Sequence, residues 1–151
     1  MNNVCADSGF LIALYDSTDQ HNATAQRLFQ ENLDPPPFNR FALPWPIMYE
    51  SISTRLARDR RRVESIERDL KRMEMREQVQ YLDDKPFRDQ AFEDFLREID
   101  KPPFHYRALS LVDRVVRLML SDINLKIDFF ITFNGGDFHD VCMRSRIVMI
   151  P

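Results

Sequence analysis

Glycine is scarce in this chain: there are three among 151 residues, Gly9 alone and Gly135 beside Gly136. Backbone that wraps a phosphate or turns sharply beneath a nucleophile needs several glycines at fixed spacing, because only a residue without Cβ tolerates those conformations. Glycines so placed cannot build a P-loop, a GxGxxG turn or a GxSxG elbow, and the enzymes that depend on them are excluded. Cysteine is nearly absent too. Cys5 and Cys142 have no zinc-ligand spacing and offer no disulfide framework, and their apolar neighbours mark them as small core residues. No run of about 18 apolar residues is present to span a membrane. The opening residues, MNNVCADSGF, lack the cationic and apolar blocks of a secretory leader, so a reducing cytoplasm is the expected compartment.

Neither sign of charge dominates. Lys+Arg number 21 and Asp+Glu 24, for a net charge of −3. The distribution is uneven, however: between Arg55 and Arg76 nine basic residues face five acidic ones, a local +4 that leaves −7 elsewhere. A basic stripe on an acidic body attracts polyanions locally. It also fits a solvated helix face laced with pairs such as Glu64–Arg68 and Glu67–Lys71. With 44% hydrophobic and 30% charged residues, the length suits one packed domain over residues 1–151.

What is present reads as strands alternating with helices. Val4-Cys5-Ala6 is a short β-compatible run that ends at Asp7-Ser8-Gly9, and helical patterns follow over Phe10–Tyr15 and His21–Phe29. Asp34 and the three prolines after it stop the second helix. Phe41-Ala42-Leu43 is a second strand, and Pro46 suits the opening of a new helix. No glycine or proline occurs from Ile47 to Lys85, so helix is expected to dominate there, with Leu56, Val63, Ile66, Leu70 and Met73 as an apolar seam. Pro86–Ile99 is amphipathic, and Ser110–Ser121 is apolar enough to be buried on most sides. Phe129–Phe133 and Ile147–Ile150 are the last strands. This alternation implies an α/β sandwich around a mostly parallel sheet.

On that map the acids take on meaning. Asp7 follows the first strand, Glu50 lies in the opening turns of the helix after the second, and Asp113 in the first turn of the apolar helix. Asn134 and Asp137 follow the Phe129–Phe133 strand. In an open parallel sheet the carboxyl ends of strands share one edge, where ligand crevices form. Several carboxylates brought together need a countercharge. Oxygen ligands without a nearby Cys or His set point to Mg²⁺ or Mn²⁺, and such a site suits phosphodiester hydrolysis. Each acid also has a structural reading. Asp7 suits a helix cap, Ser110-x-x-Asp113 a capping box, and Glu50 a helix-dipole partner. Trp45 and the many phenylalanines read first as core.

The segments ADSGFLIALYDSTDQHNATA, PWPIMYESIS, ALSLVDRVV and FFITFNGGDF, in that order, resemble the motifs of PIN-domain nucleases, including the toxin ribonucleases of the VapC type. The resemblance spans nearly the whole chain. It implies a PIN-like three-layer α/β/α sandwich around a short, mostly parallel sheet. It also implies a Mg²⁺/Mn²⁺-dependent endoribonuclease, in which a carboxylate-bound metal water attacks phosphorus and leaves a 5′-phosphate and a 3′-hydroxyl. Asp7, Glu50 and Asp113 take the places of the metal-binding acids, and Ser8 and Thr132 match hydroxyls beside the site. The family's fourth acid falls where this chain has Asn134, so Asp137, freed by the glycine pair, is the expected substitute in catalysis.

The second departure is the long basic and helical stretch at about 55–105, with Arg55, Arg58 and Arg62 as candidate RNA contacts. RNA is the expected substrate, a neutralising antitoxin the partner that a toxin would need, and a homodimer an open assembly. No membrane partner is expected. The rival reading is a non-catalytic PIN-fold module that binds RNA or protein, its fourth acid lost. A phosphotransfer receiver is disfavoured, because its lysine should follow a late strand and Lys126 precedes one.

Overall fold

The computed structural model describes residues 1–34 and 38–151, so the prolines expected to stop the second helix lie outside the described residues. The chain runs through β1 (Asn3–Ala6), α1 (Ser8–Tyr15), α2 (Asn22–Asn32), β2 (Arg40–Pro44), α3 (Trp45–Ser51), α4 (Thr54–Ala57) and α5 (Arg60–Met75). It continues through β3 (Val79–Leu82), α6 (Lys85–Arg97), α7 (Leu111–Ser121), β4 (Phe129–Ile131), α8 (Gly135–Ser145) and β5 (Val148–Ile150). Short 3-10 turns at Glu98–Asp100 and Pro103–His105 lead from α6 towards α7.

The strands form one sheet in the order β3-β2-β1-β4-β5, and every pairing is parallel. Cys5 pairs with Ala42 on one side and Phe130 on the other. Both faces are covered, so the central strands are apolar throughout: Val4, Cys5, Ala6, Phe41, Ala42, Leu43, Phe130 and Ile131 are all buried. Helices α1, α2 and α5 pack together, as do α6, α7 and α8. Right-handed crossovers place these groups on opposite faces. The sandwich expected from the sequence is present, with a sheet that is parallel throughout.

Four local readings need correction. Helix does dominate Ile47–Lys85, yet β3 interrupts it as an edge strand. The turn from α5 into β3 is made by Glu77 in the left-handed region at φ 52°, where glycine is the usual occupant, so no breaker marked it. Trp45 is not core: it is 39% exposed and stacks on Tyr81, ring centroids 5.4 Å apart. Helix α7 is amphipathic rather than enclosed, since Val115, Val116, Met119 and Leu120 are buried while Leu111 faces solvent. In the expected apolar seam Leu56 on α4 and Ile66 and Met73 on α5 are buried, but Val63 is exposed.

Candidate active site

The strand order reverses between β1 and β4, and the crevice at such a switch point lies beyond the carboxyl ends of the strands. Asp7 leaves β1 there, its N–H donating to the Ile131 carbonyl at 3.1 Å. It is the N-cap of α1: Oδ1 accepts from the Phe10 N–H at 2.8 Å, as the isolated Asp-Ser-Gly context suggested. Its Oδ2 accepts from the Thr132 hydroxyl, and Thr132 Oγ1 in turn accepts from the Asn134 N–H at 2.9 Å. A relay therefore runs from the start of α8 through Thr132 to Asp7. Gly9 leaves one side of the carboxylate bare, since an added Cβ would sit 3.5 Å from Oδ1.

Asp7 is buried, and burial pushes its carboxyl up from the ordinary value. The hydrogen bonds from Thr132 and Phe10 oppose this, whereas the negative charges of Asp113 and Glu50 push it further up. Glu50 and Asp113 thus act on Asp7 through charge although they lie 43 and 106 positions away in sequence. Glu50 and Asp113 are half-buried. Asp113 also completes the capping box of α7, with its backbone N–H on Ser110 Oγ at 3.0 Å and its Oδ2 accepting the Ser110 N–H at 3.3 Å. Both roles coexist in one side chain.

Asp16, to which no role was assigned from sequence, shows what a buried aspartate with countercharges looks like here. Its side chain is fully buried and accepts from the Thr18 hydroxyl at 2.7 Å. Arg62 reaches it at 2.8 Å and Arg55 at 2.5 Å. Thr18's hydroxyl, and after it Arg55, hold its carboxyl down at about 2. Two of the three candidate RNA arginines thus meet on this carboxylate, and only Arg58 remains exposed without that tie. Among the described residues, Asp7, Glu50 and Asp113 form no ion pair.

The donor set is chemically suited to a hard divalent cation: oxygen ligands only, mutual repulsion, and a bare approach over Gly9. Among the described residues, however, no three His, Cys, Asp or Glu groups already stand close enough to hold one. Asp137 does not stand free. Its Oδ2 accepts from the Asn134 side-chain amide, and its charge acts on Arg117. Gly135 and Gly136 open α8 without any positive φ, so they do not release Asp137 through a special turn. Ser8 is half-buried at the first position of α1. A cleft of about 570 Å³ between α1, α2 and α5 contains none of these acids.

The sheet order, the covering helices and the acids at the switch point define a PIN-like α/β fold, the fold of VapC toxins. No protein-family model matches the chain, and no curated protein does. Among solved structures, VapC20 of Mycobacterium tuberculosis, a toxin that cleaves the sarcin-ricin loop, is similar at 20% identity and a TM-score of 0.64, over 91% of this chain and 94% of that one. VapBC2 of Rickettsia felis, bound to a DNA fragment from its promoter, is similar at 7% identity and a TM-score of 0.55, over 98% and 97%. At these identities the likeness is one of fold. No helix among the described residues is long and apolar enough to cross a membrane.

Proposed function

We propose that the chain is a Mg²⁺- or Mn²⁺-dependent endoribonuclease, the toxin of a toxin–antitoxin pair. The observation that carries this reading is the contrast between two buried aspartates. Asp16 is neutralised by arginines, whereas Asp7 is buried, feels the charge of Asp113 and Glu50, and forms no ion pair among the described residues. A carboxylate held in that state at a switch-point crevice marks a functional site. Asp7, Glu50 and Asp113 would hold the ion. When bound, it would supply a water of lowered pKa and offset charge on phosphate oxygens.

The chain's own groups do the positioning. Phe10 N–H and Thr132 fix both oxygens of Asp7, so it presents a preset carboxylate. The capping box fixes Asp113, and Ser8 and Asn134 border the approach. Asp137 we read as a support for Asn134 rather than as a direct ligand. A VapC-like toxin calls for an antitoxin partner, and the acidic crevice would accept a basic side chain from it.

The test is cleavage of a mixed RNA pool with Mn²⁺. Asp7→Asn, Glu50→Gln and Asp113→Asn should each abolish it, and the thermal shift given by Mn²⁺ should disappear in Asp7→Asn. Cleavage by Asp7→Asn that resists EDTA would overturn the assignment. RNA binding with neither cleavage nor a Mn²⁺ shift would point instead to the non-catalytic module.

A further inference from the structure

A second cleft, of about 420 Å³, opens between α6, α7 and α8. None of Asp7, Glu50 and Asp113 lines it, but two of its residues adjoin groups that support the candidate site. Leu109 in its wall directly precedes the Ser110 cap that fixes Asp113, and Arg107 donates to the Gly136 and Asp137 carbonyls at 3.1 and 3.2 Å. Arg97, Lys101, Arg107, Arg114, Arg117 and Arg144 line it, against only Asp94 and Glu98, an excess of +4 in a chain of net charge −3. The excess is still +2 when Asp140 and Glu93, which pair with these cations, are counted.

The cations are held in place from behind. Arg117 grips Asp140 through two 2.7 Å contacts, which hold that carboxyl well below the usual range. Arg114 sets one nitrogen 3.2 Å from Glu98 and donates to the Arg107 carbonyl at 3.0 Å. It is nine-tenths buried, yet among the described residues its Nε finds no hydrogen-bond partner. A buried guanidinium N–H in that state has lost water without a replacement.

Aromatic rings interleave with these charges. Phe104 is 82% exposed and Tyr106 53%, both on the segment that leads into Arg107. Arg114 lies over the Phe95 ring at 5.9 Å. A basic channel beside exposed rings is the combination that holds a single nucleic-acid strand: phosphates meet the cations and bases stack on the rings, whatever the sequence. A second copy docked isologously would set these cations against themselves.

We propose that this face, made by the carboxyl half of α6, residues 98–107 and α7, binds single-stranded RNA. Phosphates lie in the cleft, bases stack on Phe104 and Tyr106, and the strand leads on to Asp7, Glu50 and Asp113. That the bound strand is the substrate rests on the ribonuclease reading above.

The experiment measures anisotropy of a labelled mixed-sequence single-stranded RNA with the full chain in EDTA. Arg97→Glu with Arg144→Glu, both at exposed positions, should weaken binding at least tenfold and lower the salt slope by about 1.4. Phe104→Ala should weaken it about fivefold or more. Arg60→Glu with Arg61→Glu on α5 should change it less than twofold, and melting curves confirm that every variant is folded. Wild-type affinity in the α6-side variants, an equal loss in the α5 pair, or no RNA binding by the wild type overturns the inference. So does a dimer that Phe104→Ala dissolves while RNA affinity stays the same. Metal-dependent cleavage with unchanged KM in the α6-side variants sinks this inference alone. RNA bound at this face without any metal-dependent cleavage sinks the ribonuclease reading alone.

Discussion

Arg62→Ala separates structural arginines from RNA-binding ones. Arg62 is 19% exposed and sits 2.8 Å from Asp16, whose side chain is fully buried. Breaking a buried pair by removing one partner costs about 3–5 kcal/mol, because the remaining charge is stranded. Here the stranding is partial: Arg55 still reaches the other oxygen and Thr18 still donates two hydrogen bonds. Arg55 is 55% exposed, so solvent screens its share. The net cost is then about 2–3 kcal/mol, which lowers Tm by roughly 4–12 °C in a domain of this size. The deficit should depend on pH. Asp16 titrates at about 2 when folded, below its ordinary 3.8, so its contribution is complete above about pH 4 and is lost as pH falls towards 2. The variant and the wild type should converge over that window. Melting curves from pH 7 to 2.5, paired with RNA anisotropy at pH 7, test both parts. A Tm within about 1 °C of wild type, together with RNA affinity weakened tenfold, would refute the reasoning.

Other outcomes follow from the same geometry. Without metal, Asp7→Asn should melt at or above wild type at pH 7. The folded protein raises the Asp7 pKa, so its ionised form costs stability that is recovered as pH falls, and the gap between the two proteins should close in acid. Thr132→Val removes both the donor to Asp7 and the acceptor for the Asn134 N–H, at about 1–3 kcal/mol by urea denaturation, with loss of cleavage; Thr132→Ser should restore both. Gly136→Ala should gain roughly 0.5 kcal/mol, since its Cβ would meet nothing within 4 Å. Gly135→Ala should gain nothing, because its Cβ would lie 3.1 Å from Met149 Cε.

The architecture was legible because fully buried parallel strands announce themselves as unbroken apolar runs, and Val4–Ala6, Phe41–Leu43 and Phe130–Ile131 did so. The edge strand β3 was hidden for two physical reasons. Val79–Leu82 has only one fully buried residue, and Glu77 made its turn without glycine. The meeting of Asp7 with Thr132 could be read from strand ends, since Asp7 follows β1, Thr132 follows β4 and the two strands are neighbours in the sheet. The fates of the charges could not. Nothing in the sequence around Asp16 marked it as the partner of Arg55 and Arg62, two members of the visible basic stripe that its carboxylate oxygens engage. The six cations of the α6–α7–α8 cleft are scattered over 48 positions, from Arg97 to Arg144, so no local charge run marked them.

The order in which the sheet assembles has a consequence for synthesis. The strand β1 lies in the centre of the sheet, yet its β4 partner is made some 125 residues later, as is the Thr132 hydroxyl that fixes Asp7. At about 5–20 residues per second, seconds of elongation pass before the two can meet. The nascent chain therefore carries Asp7 without its final partner through all of that interval. On the ribonuclease reading proposed above, cleavage has to wait for that arrangement, which leaves an interval for a partner to capture the chain as it folds.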